Sequence, residues 1–179
     1  ASSLAAVATA VIFQMLHGYF RIEPVAYLLW FVLPGIISAL LLAALSVFVQ
    51  SLVPHKFMGW AVMLVYVVAT VTLNNIGFEH NLYNYAGEPG VPLSDMNGMG
   101  RFWIARAWFQ AYWLAFALML MVAAHLLWRR GVETRLGPRF ARLRLRLRGA
   151  PGVVMGAAAA AWIGIGAFNY YNTNVLNRY

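Results

Sequence analysis

Residues 25–49 read Val25-Ala26-Tyr27-Leu28-Leu29-Trp30-Phe31-Val32-Leu33-Pro34-Gly35-Ile36-Ile37-Ser38-Ala39-Leu40-Leu41-Leu42-Ala43-Ala44-Leu45-Ser46-Val47-Phe48-Val49, without one charged side chain. At about 1.5 Å per residue a helix of this length covers about 37 Å, more than the roughly 30 Å of a bilayer's hydrocarbon. A helix on the surface of a soluble domain would carry charges along one face, and this run has none. The stretch therefore predicts a transmembrane helix. Pro34 lacks an N–H and, with Gly35 beside it, predicts a bend.

Outward from this run the same pattern recurs. Leu4 to Leu16, broken only by Thr9 and Gln14, reads as the end of a longer helix. Arg21, Glu23 and Pro24 separate it from the central run, and Pro54-His55-Lys56 forms the next break. Further runs follow at Phe57 to about Leu73, Phe102 to Trp128, and Val153 to about Tyr171. The expectation is an all-α, polytopic transmembrane bundle of about five helices, forming one domain over 1–179. Composition agrees: 63% of the 179 residues are hydrophobic and 10% are charged, against about a quarter charged in soluble domains. Cysteine is absent, which excludes a disulfide framework, a thiolate metal site and a cysteine nucleophile. The apolar run that follows Ala1 has no basic leader, so the chain reads as a piece of a longer protein rather than as one with a signal peptide.

Charge sets an expected orientation. Eight of the thirteen basic residues lie between Arg129 and Arg148, with Glu133 the one acid among them. Positive loops stay in the cytoplasm, so a basic cytoplasmic segment is expected at about 129–149 and an external loop at about 74–101. The amino end is then cytoplasmic and the carboxyl end external. Three of the five acids fall in the external loop. In a multi-helix membrane chain such a basic cluster marks a cytoplasmic loop, and no nucleic-acid partner is expected. Leu136, Phe140, Leu143 and Leu147 share one helical face and Arg139, Arg142 and Arg146 another. The segment thus reads as a helix on an anionic leaflet or as a solvated linker.

Few residues invite chemistry. Glu79, His80 and Asp95 are possible metal ligands but lack any ligand spacing, and two of them are adjacent. One alternative is a compact cap over the helix ends; another is a part that dips back into the protein as short helices, since Phe78, Leu82 and Tyr85 are spaced i, i+4 and i+7. Arg106 lies about one turn inside its run; it either pairs with Glu79 or Asp95 or reaches back to the external interface. Gln110 follows one turn later, and with Gln14, Asn74 and Asn75 completes a short inventory of polar groups for a shared interior. Of the four histidines only His17 and His125 lie in helical runs, at opposite ends, which weighs against a bis-histidine haem site. Gly152, Gly156, Ala160 and Gly164 recur at i+4 and form a candidate helix-packing face. No Walker, H-E-x-x-H, G-x-S-x-G or paired-carboxylate pattern is present, and no enzymatic activity is expected of this segment.

Three stretches, 77–83 (Gly77-Phe78-Glu79-His80-Asn81-Leu82-Tyr83), 91–98 (Val91-Pro92-Leu93-Ser94-Asp95-Met96-Asn97-Gly98) and 168–179, with Tyr171-Asn172-Thr173-Asn174-Val175-Leu176-Asn177 inside it, resemble a bacterial family. They look like the membrane region of proteins that join an exporter-type ABC-transporter permease to an aminopeptidase N-like zinc metallopeptidase. The resemblance covers most of the chain and is densest in the external loop and at the carboxyl end. It implies the distal membrane part of a permease, powered by a separate ATP-binding subunit and leading into an external peptidase domain. Zinc would belong to that domain and ATP to that subunit, with no cofactor in this segment. Implied partners are the lipid bilayer, the ATP-binding subunit, other helices of the parent chain, and a second copy in a homodimer. The alternatives are a membrane anchor for the peptidase without transport and, resting on the histidines alone, a haem- or quinone-binding membrane subunit.

Overall fold

The computed structural model describes residues 2–20, 22–53, 55–78, 80–92, 100–128, 137 and 143–176. Among them there is no strand, and five helices carry the fold: α1 (Ser2–Leu16), α2 (Pro24–Leu52), α3 (Lys56–Asn75), α4 (Phe102–Leu127) and α5 (Ala150–Leu176). A single helical turn, Leu143–Arg146, precedes α5. The last four of the five are long and apolar enough to cross a membrane. α1, with 15 residues and about 22 Å of length, falls short of the roughly 20 residues a crossing needs.

The chain forms two compact units, 1–40 and 41–179, and α2 contributes to both. In the first unit α1 packs near a widened, π-helical turn of α2, Leu28–Val32. That turn answers Pro34. Proline offers no N–H to the carbonyl four residues back and crowds it, and here the Leu33 N–H bonds to Leu28 O, one residue further back than in an α-helix. Ser38 Oγ then donates to Pro34 O at 3.1 Å. Among the described residues of this unit, Val32 is buried.

The second unit is organised around α4. Over the stretch long enough to cross a membrane it is 44% buried, against 6% for α3 and 6% for α5, so α4 is the most buried helix of the unit. Phe109, Tyr112, Trp113, Ala117, Leu120, Ala124 and Leu127 are buried along it. α5 lies against this seam through Trp162, stacked on Tyr112 with ring centres 5.5 Å apart, and through Phe168 on Trp108 at 4.6 Å. Close approach is possible because position 166 is glycine: a Cβ there would stand 2.9 Å from Tyr112 Cε2.

The small-residue stripe expected to pack lies elsewhere. Gly156, Ala160 and Gly164 are exposed, and a Cβ added at Gly156 or Gly164 meets nothing within 4 Å. The face of α5 that turns inward carries Ala158, Trp162, Gly166 and the buried Asn169 instead. Gly152 serves the entry to α5, where its Cβ would fall on the Leu147 carbonyl. The i+4 spacing is met by two faces of this alanine-rich helix, and the aromatic side chains of α4 select the one with Trp162 on it.

Hydroxyls along the helices are satisfied locally, as apolar surroundings require: Thr70 and Thr72 on α3 donate to the carbonyls one turn back, at 2.9 and 2.8 Å. α1 and α3 end in the same way. Gly18 (φ +81°) and Gly77 (φ +98°) take the left-handed conformation, and the next amide reaches back to the carbonyl five residues earlier, Tyr19 to Gln14 and Phe78 to Leu73.

The two glycine environments on α5 separate in a stability measurement. Gly166→Leu overpacks the Tyr112 contact and is expected to cost about 1–3 kcal/mol in thermal or denaturant unfolding in detergent. Gly164→Leu, two residues away in open space, stays within about 0.5 kcal/mol of the parent.

Candidate functional site

After Gly77 the chain does not run straight to α4; it folds back against the second unit. Residues 80–92 carry no helix: they close in turns, with Tyr83 N–H on His80 O at 3.0 Å and Gly87 N–H on Asn84 O at 2.8 Å. The expected Phe78–Leu82–Tyr85 helical face is absent, and Phe78 is exposed. Gly77, Gly87, Pro89 and Gly90 punctuate the segment too densely for a helix to propagate. Ala86 takes φ +63°, at the third position of the Asn84–Gly87 turn, where glycine is usual. Gly87 has no substitute there, because a Cβ would stand 2.8 Å from Asn84 O and 3.1 Å from Asn81 Cα, both fixed backbone atoms.

Side chains of α3 and α4 and a backbone carbonyl of α2 hold this segment. The Trp113 indole N–H is shared between Asn81 O and Gly87 O, 3.1 Å from each. Tyr85 donates to Leu41 O at 2.7 Å and receives the Tyr66 hydroxyl on its own carbonyl at 3.3 Å. Its ring sits edge-on to Trp113 and Phe116, with centres 5.2 and 5.9 Å away. Trp113 is eleven residues beyond the first residue of α4, so the segment reaches about 16 Å along that helix. Asn84 ties its neighbours together, donating to Asn74 Oδ1 and to Phe78 O, both at 2.7 Å.

One charged group anchors the segment's far side. Glu88 Oε1 lies 2.7 Å from Arg106 Nη2, and Glu88 Oε2 accepts from Gln110 Nε2 at 2.7 Å. The side chains of Arg106 and Glu88 are 20% and 21% exposed, so the pair is largely out of water. Arg106 Nε is sealed with no partner among the described residues. Such a pair lies between an exposed bridge, worth about 0–1 kcal/mol, and a buried one, whose breaking costs about 3–5 kcal/mol. Beside it, Thr70, Asn74, Asn75, Asn81, Asn84 and Glu88 line most of a cavity of about 460 Å³.

Of the residues singled out in the sequence, Arg106 and Gln110 come together, on a partner the sequence reading did not choose. Glu79 and Asp95, the expected partners of Arg106, lie outside the described residues. His80 accepts the Leu82 N–H on Nδ1 at 3.2 Å and lies against Tyr83, a local role in the turn. Among the described residues no three of His, Asp and Glu gather as a metal site would require. Glu88, Tyr85 and Trp113 are the additions. A signal for Trp113 was present, since Arg106, Gln110 and Trp113 stand at i, i+4 and i+7 on one face of α4. Comparison of the chain with family models, with curated proteins and with solved structures gives no match.

Removing one charge should cost more than its share of the pair. Glu88→Gln is expected to destabilise by about 1–3 kcal/mol and to expose 80–92 to protease, because Arg106 is left without a counter-charge. Arg106→Met added to Glu88→Gln should cost about 1–2 kcal/mol less than the two single losses combined, measured as a double-mutant cycle in detergent.

Proposed function

We propose that this chain is the distal membrane-spanning part of an exporter-type ABC permease, helping to form a translocation path powered by ATP hydrolysis on a separate subunit. The observation that carries the proposal is the segment folded back between α3 and α4 and held by Glu88 on Arg106 and Gln110. A membrane anchor needs hydrophobic length and no more. A chain that spends free energy on burying an ion pair and five further polar contacts beside its central helix is built to shape an interior. The external element between two late helices is also what the resemblance to permease–peptidase fusions calls for.

In this reading α2 to α5 cross the bacterial inner membrane, with the Arg-rich segment in the cytoplasm and the loop at about 74–101 outside. Their lipid face is the broad apolar surface of α3 and α5, with Val65, Val68, Val153 and Ile163 among its exposed side chains. α5 returns the chain to the outside, where the peptidase domain with its zinc would follow. The open stripe of Gly156, Ala160 and Gly164 is available to another helix of the parent chain or to a second copy.

The full-length parent protein, purified from its host in mild detergent, tests this directly. The expected result is a co-purifying ATP-binding subunit whose ATP turnover depends on the complex and falls several-fold in Glu88→Gln. A parent protein that carries no such subunit under several extraction conditions, with peptidase activity intact, would establish the anchor instead.

A further inference from the structure

The cavity of about 460 Å³ between the end of α3 and the folded-back segment is of the size that holds small ligands, about 300–1,000 Å³. Its wall is unusual in composition. Four asparagines line it: Asn74 and Asn75 end α3, and Asn81 and Asn84 belong to the turns. Asparagine is common in turns because its side chain bonds nearby backbone. Asn84 does so, donating to Phe78 O and to Asn74 Oδ1. Asn75 and Asn81 do not. Among the described residues their carboxamides bond nothing, and neither is sealed away as Arg106 Nε is. They are left to whatever fills the cavity.

Charge narrows the occupant. Among the described residues of the lining the one ionised group is Glu88, with one oxygen on Arg106 and the other on Gln110. A cation would find that carboxylate already neutralised. An anion would meet it with no lysine, arginine or histidine in the described lining to offset it. An apolar ligand would strip the carboxamides of water and offer them no hydrogen bond in return. What fits is a neutral molecule that carries donors and acceptors side by side. A carboxamide presents two N–H donors beside an acceptor oxygen, and neighbouring hydroxyls answer both. Thr70, whose proton goes to Tyr66 O, adds a further acceptor oxygen. The wall is also held in place before any ligand arrives, because the Asn81 carbonyl is fixed by Trp113 and Asn84 by its two bonds.

We propose that this cavity binds an uncharged carbohydrate of one or two rings, its hydroxyls held by the carboxamides of Asn75 and Asn81 with Asn74 and Asn84 beside them. The site goes beyond the transport reading and does not depend on it: binding stands whether or not an ATP-binding subunit joins the chain.

Saturation-transfer NMR on the full-length protein, kept in a detergent without a sugar headgroup, tests this. The probes are glucose, galactose, maltose and trehalose, with glucosamine and gluconate as charged counterparts. At least one neutral sugar should give a saturable signal, and the charged pair should compete roughly tenfold more weakly or not at all. Asn81→Ala should weaken binding by about two- to tenfold, the range for one lost hydrogen bond. Asn75→Trp, at an exposed helix end where the indole fills the cavity, should abolish it. Both variants are read only if they elute as the parent does on size exclusion and keep 80–92 resistant to protease. No saturable signal from any of the four sugars, equal competition by glucosamine or gluconate, or binding unchanged in Asn75→Trp would each overturn the proposal.

Discussion

The folded-back segment hangs on one fork: the Trp113 indole N–H between the carbonyls of Asn81 and Gly87. Backbone carbonyls brought into apolar surroundings must be paired within the protein, because unpaired ones cost several kcal/mol each. A segment of turns supplies few bonds for itself. It can lie beside α4 only where the helix offers a donor at the right height, and among the aromatic side chains near Tyr85 the indole of Trp113 does so. Tyr85 reciprocates by donating to Leu41 O, so the segment is bonded to helices on two sides. Glycine at 87 and the left-handed Ala86 are consequences of this fit: they turn the two carbonyls toward one N–H.

The charged contact is a second layer on that arrangement. Arg106 cannot be neutralised by losing its proton, so a largely buried position requires a carboxylate beside it. Glu88 meets that need with one oxygen and satisfies Gln110 with the other. Because Glu88 follows directly on Gly87, the same turn that serves Trp113 delivers the carboxylate to Arg106. The two contacts are therefore coupled through one residue of backbone, and disturbing either loosens the other.

Around this centre the remaining helices are unequal. α4 is the most buried of the four long helices, whereas α3 and α5 show most of their apolar side chains outward. In water that surface would be a liability, and in a bilayer it costs nothing. Association of α5 with α4 then rests on contact between aromatic rings and on the close approach permitted at Gly166. That explains why the stripe with the most regular small-residue spacing is not the face α5 turns to α4: without aromatic partners opposite, it offers less contact there than the Trp162 face.

By itself the sequence determined the helices and most of their ends, although the last, expected from Val153 to about Tyr171, runs from Ala150 to Leu176. Hydrophobic length is a local property, as are the left-handed glycines at 18 and 77 and the proline that widens α2, so each could be placed from neighbouring residues alone. The face of α4 that matters was legible too, in the spacing of Arg106, Gln110 and Trp113. What only the tertiary structure decided is the choice among equivalent candidates. Arg106 had several acids within reach along the chain, and Glu88 is the one that the Trp113 fork brings to it. α5 offered a small-residue stripe and a face carrying Trp162, and the rings of α4 took the second. In both cases the deciding atoms are more than ten residues away in sequence, and only folding sets the distance between them.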